Sequence, residues 1–129
     1  MKYLAKIIAN DLEGLRMISA CSSGAKVKIS DIKYLASNKV FLLSVERIKV
    51  ENENEDKKVN SILRFDFVEK SRSKNIDQSN QEAVLELVGI DYLKNNDVYE
   101  INLIFNNNSH IALTTETIEA RLEDQSEIK

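Results

Sequence analysis

Two short stretches of the 129-residue chain place charges of opposite sign on predicted strands. Arg64 and Asp66 alternate with apolar residues in LRFDFV, and Glu119 is followed by Arg121 in IEARLED. Alternate side chains of a strand leave on the same face, so the members of each pair share one face. Charges in this arrangement usually pair on the surface, and they can also line a cleft for a polar ligand. We therefore treat these four residues as candidate ligand-binding residues, with surface pairing as the alternative.

The other reactive residue types offer little catalytic chemistry. His110 is the single histidine, and one imidazole without cysteines or a second histidine is a poor zinc site. Cys21 is the single cysteine, and because free cysteines are usually buried we expect an inert thiol. The acidic stretch ENENED lacks the glycine of a calcium loop. The three glycines are too scattered for a phosphate-binding loop. The sequence therefore predicts no catalytic residue, metal or cofactor.

The composition is that of an ordinary globular protein, with 43% hydrophobic and 30% charged residues. No apolar run approaches the roughly 20 residues that cross a bilayer, so we expect no membrane association. The start, MKYLAKIIANDLE, has too short an apolar stretch for a signal peptide. We therefore expect a cytoplasmic protein, and the length fits a single domain over 1–129.

Charge is distributed unevenly along the chain. Residues 1–74 contain 15 Lys and Arg against 10 Asp and Glu, and residues 75–129 contain 3 against 11. A basic half can attract nucleic acid, or it can simply pack against the acidic half. The lysines that could share a surface are few and are interrupted by Asp31: Lys26, Lys28, Lys33 and Lys39. We therefore predict only loose attraction to RNA or DNA and no specific complex.

The chain begins with a predicted strand over Met1–Ala9, followed by a helix. Apolar residues then recur with helical spacing on one face: Leu12, Leu15, Ile18 and Cys21. Asn10 or Asp11 can cap the amino end of this helix, and Gly24 can end it. From residue 25 onward the pattern favours strands.

Two similar stretches of sequence lie 58 residues apart: IKYLASNKVFLLSV at 32–45 and IDYLKNNDVYEINL at 90–103. In both copies the apolar positions change from odd to even numbers, at residues 30–31 and 88–89. A change of phase without a turn indicates a β-bulge, so we predict a bulge in each copy. The matching tyrosines, Tyr34 and Tyr92, should be mostly buried, with the phenol oxygen reaching a polar partner or the rim.

Each copy continues into a polar loop and a third strand. In VNSILRFDFVEK we expect Leu63, Phe65 and Phe67 to point inward. HIALTTETIEAR is the counterpart, and here we favour strand over a helix across 114–124. The fold predicted is α+β and mostly antiparallel. Two duplicated three-stranded meanders, at 26–70 and 84–120, pack as a sandwich or partly open barrel beside the amino-terminal strand and helix.

Several stretches resemble a family of uncharacterised proteobacterial proteins, domain of unknown function 2948. They are NDLEGLRMISACSSGAKVKISDIKYL, LRFDFV followed by KSRS, and IEARLED. The resemblance spans nearly the whole chain, although this chain is richer in Lys and Asn. It implies a bacterial, cytoplasmic, single-domain protein and supplies no activity, substrate or site.

Two functions remain open from the sequence. The first is a non-enzymatic binding or assembly module of the bacterial cytoplasm. It would meet a protein partner, or a second copy of itself, through sheet edges, because unpaired strand edges invite another strand. The alternative is a small-molecule binder or enzyme with a polar pocket at the junction of the two repeats. A filled core with an apolar surface patch would favour the first, and a deep pocket lined by Arg, Glu or His the second.

Overall fold

The computed structural model describes residues 4–52 and 55–128, with side chains at 4–48 and 57–128. The chain begins with strand β1 (Lys6–Ala9) and helix α1 (Leu12–Ser22). The Asp11 carboxylate caps this helix by accepting a hydrogen bond from the Gly14 N–H at 2.7 Å. Gly24 follows the helix with φ of 87°, a conformation that glycine adopts without steric cost. The predicted helix, its cap and its end are confirmed, and Met1–Tyr3 of the predicted strand lie outside the described residues.

Gly14 is needed where α1 approaches β1. A Cβ placed on Gly14 would lie 2.9 Å from both the Cα and the Cβ of Ala9. We expect Gly14→Ala to lower the free energy of unfolding by about 1–2 kcal/mol, because a backbone atom must move to admit the methyl group. This loss is the net of a strain of about 2–3 kcal/mol and a gain of about 1 kcal/mol in helix propensity. Urea denaturation measures the change, with the exposed Glu13→Ala as control. Stability at or above that of the wild type would show that β1 yields without cost.

In the part of the chain that the structure describes, nine further strands follow α1. They are β2 (Lys26–Lys28), β3 (Ile32–Leu35), β4 (Val40–Asn52), β5 (Glu55–Phe65), β6 (Val68–Lys74), β7 (Val84–Asn95), β8 (Val98–Phe105), β9 (His110–Thr115) and β10 (Ala120–Ile128). Every pairing between them is antiparallel. The order across the sheet is β1-β10-β5-β4-β2-β7-β8-β9-β6, and β3 pairs with β4 beside that path. The path does not close on itself, so the sheet is open. The antiparallel pairings and the helix α1 confirm the predicted α+β, mostly antiparallel fold.

The strand order places corresponding strands of the two repeats at equal distances from the centre of the sheet. β2 and β7 meet there, and Val27 pairs with Leu85, the residue 58 positions later. On one side follow β4, β5 and β10, and on the other β8, β9 and β6. Because β4 matches β8 and β5 matches β9 in the sequence repeat, this order is the one that a duplication predicts. The superposition of 26–70 on 84–120 stays a prediction.

The two predicted changes of phase take different forms. In the second copy the register of β7 against β8 shifts between Leu87 and Gly89, which is the predicted bulge. In the first copy a single 3-10 turn at Ile29–Asp31 separates β2 from β3. The prediction of a bulge there is wrong in form, because the extra residue is absorbed by a turn that redirects the strand.

The prediction that Phe67 points inward is wrong. β5 ends at Phe65, β6 begins at Val68, and Phe67 between them has φ of 58° and is 44% exposed. A residue in the left-handed conformation breaks the alternation of faces, so the next buried side chain after Phe65 is that of Val68. The predicted third strand is therefore two strands in different parts of the sheet.

The second copy is divided at the corresponding place. β9 ends at Thr115 and β10 begins at Ala120, so residues 114–124 contain strand and no helix, as favoured. The strands that follow β5 and β9 then pair with the other copy: β6, which follows β5, pairs with β9, and β10, which follows β9, pairs with β5. This exchange encloses the core between the two halves of the sheet.

The core contains aliphatic and aromatic side chains from both halves, including Phe65, Leu63, Leu103 and Leu113, each 0% exposed. Tyr34 and Tyr92 pack against this core from its margin. The Tyr34 hydroxyl donates to the Val68 carbonyl at 2.8 Å, which confirms the polar partner predicted for it. Across the described ranges, no helix has the length and apolar content that crossing a membrane requires.

Candidate functional site

The four charged residues singled out from the sequence lie together where β5 pairs with β10. Arg64 is directly opposite Arg121 in the register of the two strands. Arg64 Nε and Nη2 both lie 3.0 Å from Asp66 Oδ1. The Asp66 N–H donates to the Glu119 carbonyl at 2.9 Å, so the contact between the two pairs is made by backbone.

This cluster is explained by surface electrostatics. Two arginines directly opposite each other repel, and the Asp66 carboxylate offsets that repulsion beside Arg64. The Arg64–Asp66 ion pair is local to the end of β5, and the Arg64 side chain remains 40% exposed. Exposed pairs of this kind contribute up to about 1 kcal/mol. A ligand-binding role for these four residues stays a prediction.

A buried ion pair that the sequence reasoning missed links three strands, the segment before β1 and the helix. Arg47 and Asp124 are each 5% exposed, and the guanidinium holds the carboxylate with two bonds, Nε–Oδ1 of 2.9 Å and Nη2–Oδ2 of 2.8 Å. Ser61 Oγ donates to Asp124 Oδ1 at 2.6 Å, and the Ala5 N–H donates to Oδ2 at 2.9 Å. Arg47 also reaches the Cys21 carbonyl at the end of α1, at 3.5 Å. The pair therefore joins β4, β5 and β10 to the chain before β1 and to the helix.

The environment of Asp124 favours its ionised form. Burial alone raises the pKa of the Asp124 carboxyl, but hydrogen bonds from Arg47, Ser61 and the Ala5 N–H, together with the Arg47 charge, outweigh it and lower the pKa below its ordinary value. Such a bidentate, fully hydrogen-bonded pair avoids the penalty of an isolated buried charge. Its burial beneath the helix marks it as structural.

A groove opens between the edge strands β3 and β6. It has a volume of about 440 Å³, and we call it the β3–β6 groove. Its lining residues are Ile29, Ile32, Tyr34, Phe41, Ser71, Ser73, Ile76, Gln78, Gln81 and Ile111. At one end of the groove the turn between β3 and β4 is tied to β6: the Val68 N–H donates to the Lys39 carbonyl at 2.8 Å, and Lys39 Nζ lies 2.9 Å from Glu69 Oε1.

The groove combines apolar walls with neutral hydrogen-bonding groups. Six of its lining side chains are isoleucine, tyrosine or phenylalanine, and the other four are serine or glutamine. None of the four residues predicted from the sequence lines it. Among the described lining residues there is no Asp, Glu, His, Lys, Arg or Cys. The groove can therefore bind apolar groups and neutral polar groups, and it lacks a paired acid and base.

The matching place in the other half of the sheet is covered by the chain itself. The residues 58 positions after the groove wall are Leu87, Ile90, Tyr92 and Tyr99. The amino-terminal segment contacts the first two of them: Ser19 Oγ of α1 accepts from the Ile90 N–H at 2.9 Å, and the Gly24 N–H, just after α1, donates to the Leu87 carbonyl at 2.7 Å. β1 extends this cover by pairing with β10. The amino-terminal elements therefore cover part of the second half of the sheet, whereas the β3–β6 groove in the first half stays open.

The remaining sequence candidates are dispersed. His110 begins β9, half-buried and opposite Lys74 and Ile104. Cys21 is half-buried against the core, so the expectation of a buried thiol is met in part. In the part of the chain that the structure describes, no three His, Cys, Asp or Glu residues form a group able to hold a metal ion.

The lysines of the basic half are accompanied by acidic residues. Lys28 lies 3.4 Å from Glu82, and Lys39 pairs with Glu69. Lys26 is directly opposite Glu46 on one side and Glu86 on the other. This interleaving reduces the positive potential that a phosphate backbone requires, and it supports the prediction of only loose attraction to nucleic acid.

Comparison with known proteins gives one result. No curated protein and no solved structure matches the chain. The family described as "Protein of unknown function (DUF2948)" matches residues 5–129, so the chain belongs to that family.

Proposed function

We propose that this protein is a non-enzymatic binding module of the bacterial cytoplasm whose protein partner occupies the β3–β6 groove. The observation that carries the proposal is a groove of about 440 Å³ bordered by two edge strands. Edge strands offer unpaired backbone N–H and C=O groups, and an apolar groove beside them accepts side chains. Unpaired backbone groups beside an apolar groove together form a site that a protein segment can occupy.

The chemistry of the lining supports binding over catalysis. Tyr34 is the one titratable residue among the described lining side chains, and its hydroxyl already donates to the Val68 carbonyl. General acid–base catalysis needs a proton donor or acceptor placed against the substrate. Ser71, Ser73, Gln78 and Gln81 supply neutral hydrogen bonds, which position a partner.

A small neutral molecule is the second candidate occupant, because the volume of the groove lies within the range of about 300–1,000 Å³ for small-molecule sites. It would replace the pocket at the junction of the repeats that the sequence left open. The protein partner is favoured because edge strands border the groove.

Site-specific photocross-linking in cells tests the proposal. A photoreactive phenylalanine analogue at Ser73, on the mouth of the groove, should form a protein adduct that the same analogue at Ser44 does not form. Ser44 is a matched control, since it is an exposed serine on the outer face of β4. In the same cells Ser73→Arg should abolish the partner's co-purification and Ser44→Arg should not.

Two other outcomes are informative. If the native mass spectrum of the wild-type protein shows a small adduct that Ser73→Arg removes, and no protein is cross-linked, the small-molecule candidate replaces the protein partner. If Ser73→Arg changes neither the adducts nor the co-purified proteins, the groove is not the binding site. Thermal melts of both variants establish that the substitutions leave the fold intact.

A further inference from the structure

We infer that the β3–β6 groove accepts an extended peptide strand, which adds antiparallel to the open edge of β6 with aliphatic side chains in the groove and acidic side chains on the opposite face. This rests on the proposed function and specifies the chemistry of its partner.

β6 is the last strand of the sheet, and its ladder in the described chain is formed with β9 alone. On the groove side, Val68 bonds to Lys39 and to the Tyr34 hydroxyl. Among the described residues, no backbone hydrogen bond other than the β9 ladder involves 70–74. This edge can therefore pair with another strand, and the groove lies directly beside it.

β10 shows what covers the corresponding edge in the other half. Arg121 lies opposite Arg64, which lies opposite Leu42, and Lys70 lies opposite Thr114, which lies opposite Glu100. Leu42 and Glu100 are 58 positions apart, so β6 holds the place in its half that β10 holds in the other. The edge of β10 is occupied by β1, which pairs with it antiparallel. The fold thus already contains one strand added at this kind of edge.

The outward side chains indicate the charge of the missing strand. On β10 the outward Glu123 is opposite the cation Lys6 of β1. The corresponding residue on β6 is Arg72, which is flanked on the same face by Lys70 and Lys74. Opposite charges across paired strands stabilise the pairing, and like charges oppose it. The added strand should therefore carry acidic residues where β1 carries Lys6.

The inward side chains indicate its apolar face. Ser71 corresponds to Leu122, which is 0% exposed beneath β1. Serine in place of leucine leaves room at the groove, where the surrounding wall is isoleucine, tyrosine and phenylalanine. Because side chains alternate along a strand, a segment with acidic residues outward presents every second residue to this wall. Aliphatic residues at those positions would fill the groove.

The basic residues of β6 allow an opposing explanation. Lysines on an edge strand can serve to repel other strands and so prevent aggregation. Arg72 already pairs with Glu100 at 2.6 Å, while no ion pair among the described residues includes Lys70 or Lys74. The two explanations differ in their response to an acidic strand. An edge that only repels other strands does not bind it, whereas a docking edge does.

Fluorescence anisotropy with a labelled peptide decides between them. The probe is Glu-Ile-Glu-Ile-Glu-Ile-Glu between Gly-Ser ends, and the control probe has lysine at each glutamate. The wild-type protein should bind the acidic peptide at least about tenfold more tightly than the basic one. Lys70→Glu with Lys74→Glu should reverse this preference. Arg16→Glu with Lys58→Glu makes the same change in net charge away from β6 and should preserve it.

A second measurement tests backbone pairing. Methylating the peptide nitrogens on one edge should abolish binding, and methylating those on the other edge should not, because a strand adds through one edge only. Equal affinity for both peptides, or equal loss with both methylation patterns, would overturn the inference. If that happens while the Ser73 cross-link is still formed, the groove binds a protein in another conformation and the proposed function stands. If both experiments fail, the proposed function fails too.

Discussion

Asp124→Ala is expected to lower the free energy of unfolding by about 3–5 kcal/mol, because it leaves the Arg47 guanidinium buried without its anion. Arg47 is 5% exposed and makes two bonds to Asp124, so little water can replace the carboxylate. Ser61 Oγ would lose its acceptor as well. Urea denaturation followed by circular dichroism measures the loss. The neighbouring outward-facing substitution Glu123→Ala is the control and should change stability by less than about 1 kcal/mol, because it removes only a charge opposite Lys6.

Replacing both charges separates the value of the pair from the penalty of breaking it. Arg47→Met combined with Asp124→Leu should be more stable than Asp124→Ala alone, because apolar side chains of similar volume leave no buried charge. If the double variant is as unstable as the single one, the hydrogen bonds to Ser61 and Ala5 account for the stability. If Asp124→Ala stays within about 1 kcal/mol of the wild type, the pair is not buried as the structure shows.

The same carboxylate makes stability depend on acid. The pKa of Asp124 is lower in the folded protein than in the unfolded chain, so its stabilisation is complete above the unfolded value of about 3.9. It is lost as the pH falls through the lower, folded value. The difference between the stability curves of wild type and the apolar double variant should therefore shrink below about pH 4. A difference that is constant from pH 7 to pH 2 would contradict the lowered pKa.

The sequence predicted the elements that depend on neighbouring residues. The helix follows from apolar residues at helical spacing and from the Asp11 cap, and both are present in the structure. The register shift near Gly89 follows from apolar positions that change between odd and even numbers. These features are local, so a single chain without relatives is sufficient to predict them.

The Arg47–Asp124 pair was not predicted because its members are 77 residues apart, on strands whose pairing the sequence does not fix. A signal was nevertheless present. Arg47 continues the inward series Phe41, Leu43 and Val45, and Asp124 continues the inward series of β10. A charge at an inward position of a strand requires a buried partner, and two such positions of opposite sign indicate each other.

The open groove depends on a different kind of information. The repeat predicts two similar halves, but the amino-terminal strand and helix occur once. Whether they cover the half that contains Tyr92 or the half that contains Tyr34 depends on the path of the chain between elements. No periodicity encodes that path. The structure shows it through the contact of Ser19 with Ile90 in the second half.

Phe65 and Phe67 test where the alternation of faces stops. Both are apolar residues of LRFDFV and were predicted to point inward. The structure buries Phe65 completely, opposite Phe41 and Ala120, and leaves Phe67 44% exposed. Strict alternation predicts equal losses on truncation, whereas a left-handed residue at 67 predicts very unequal ones.

Phe65→Ala should lower the free energy of unfolding by about 3–5 kcal/mol, the usual cost of removing a buried aromatic ring from a core. Phe67→Ala should cost less than about 1 kcal/mol, since much of its ring already meets water. Phe67→Gly should be about 1 kcal/mol more stable than Phe67→Ala, because glycine adopts φ of 58° without steric strain. Urea denaturation of the three variants makes the comparison. Equal losses for the two alanine variants would mean that β5 runs on through residue 67, and that β6 has no separate edge beside the β3–β6 groove.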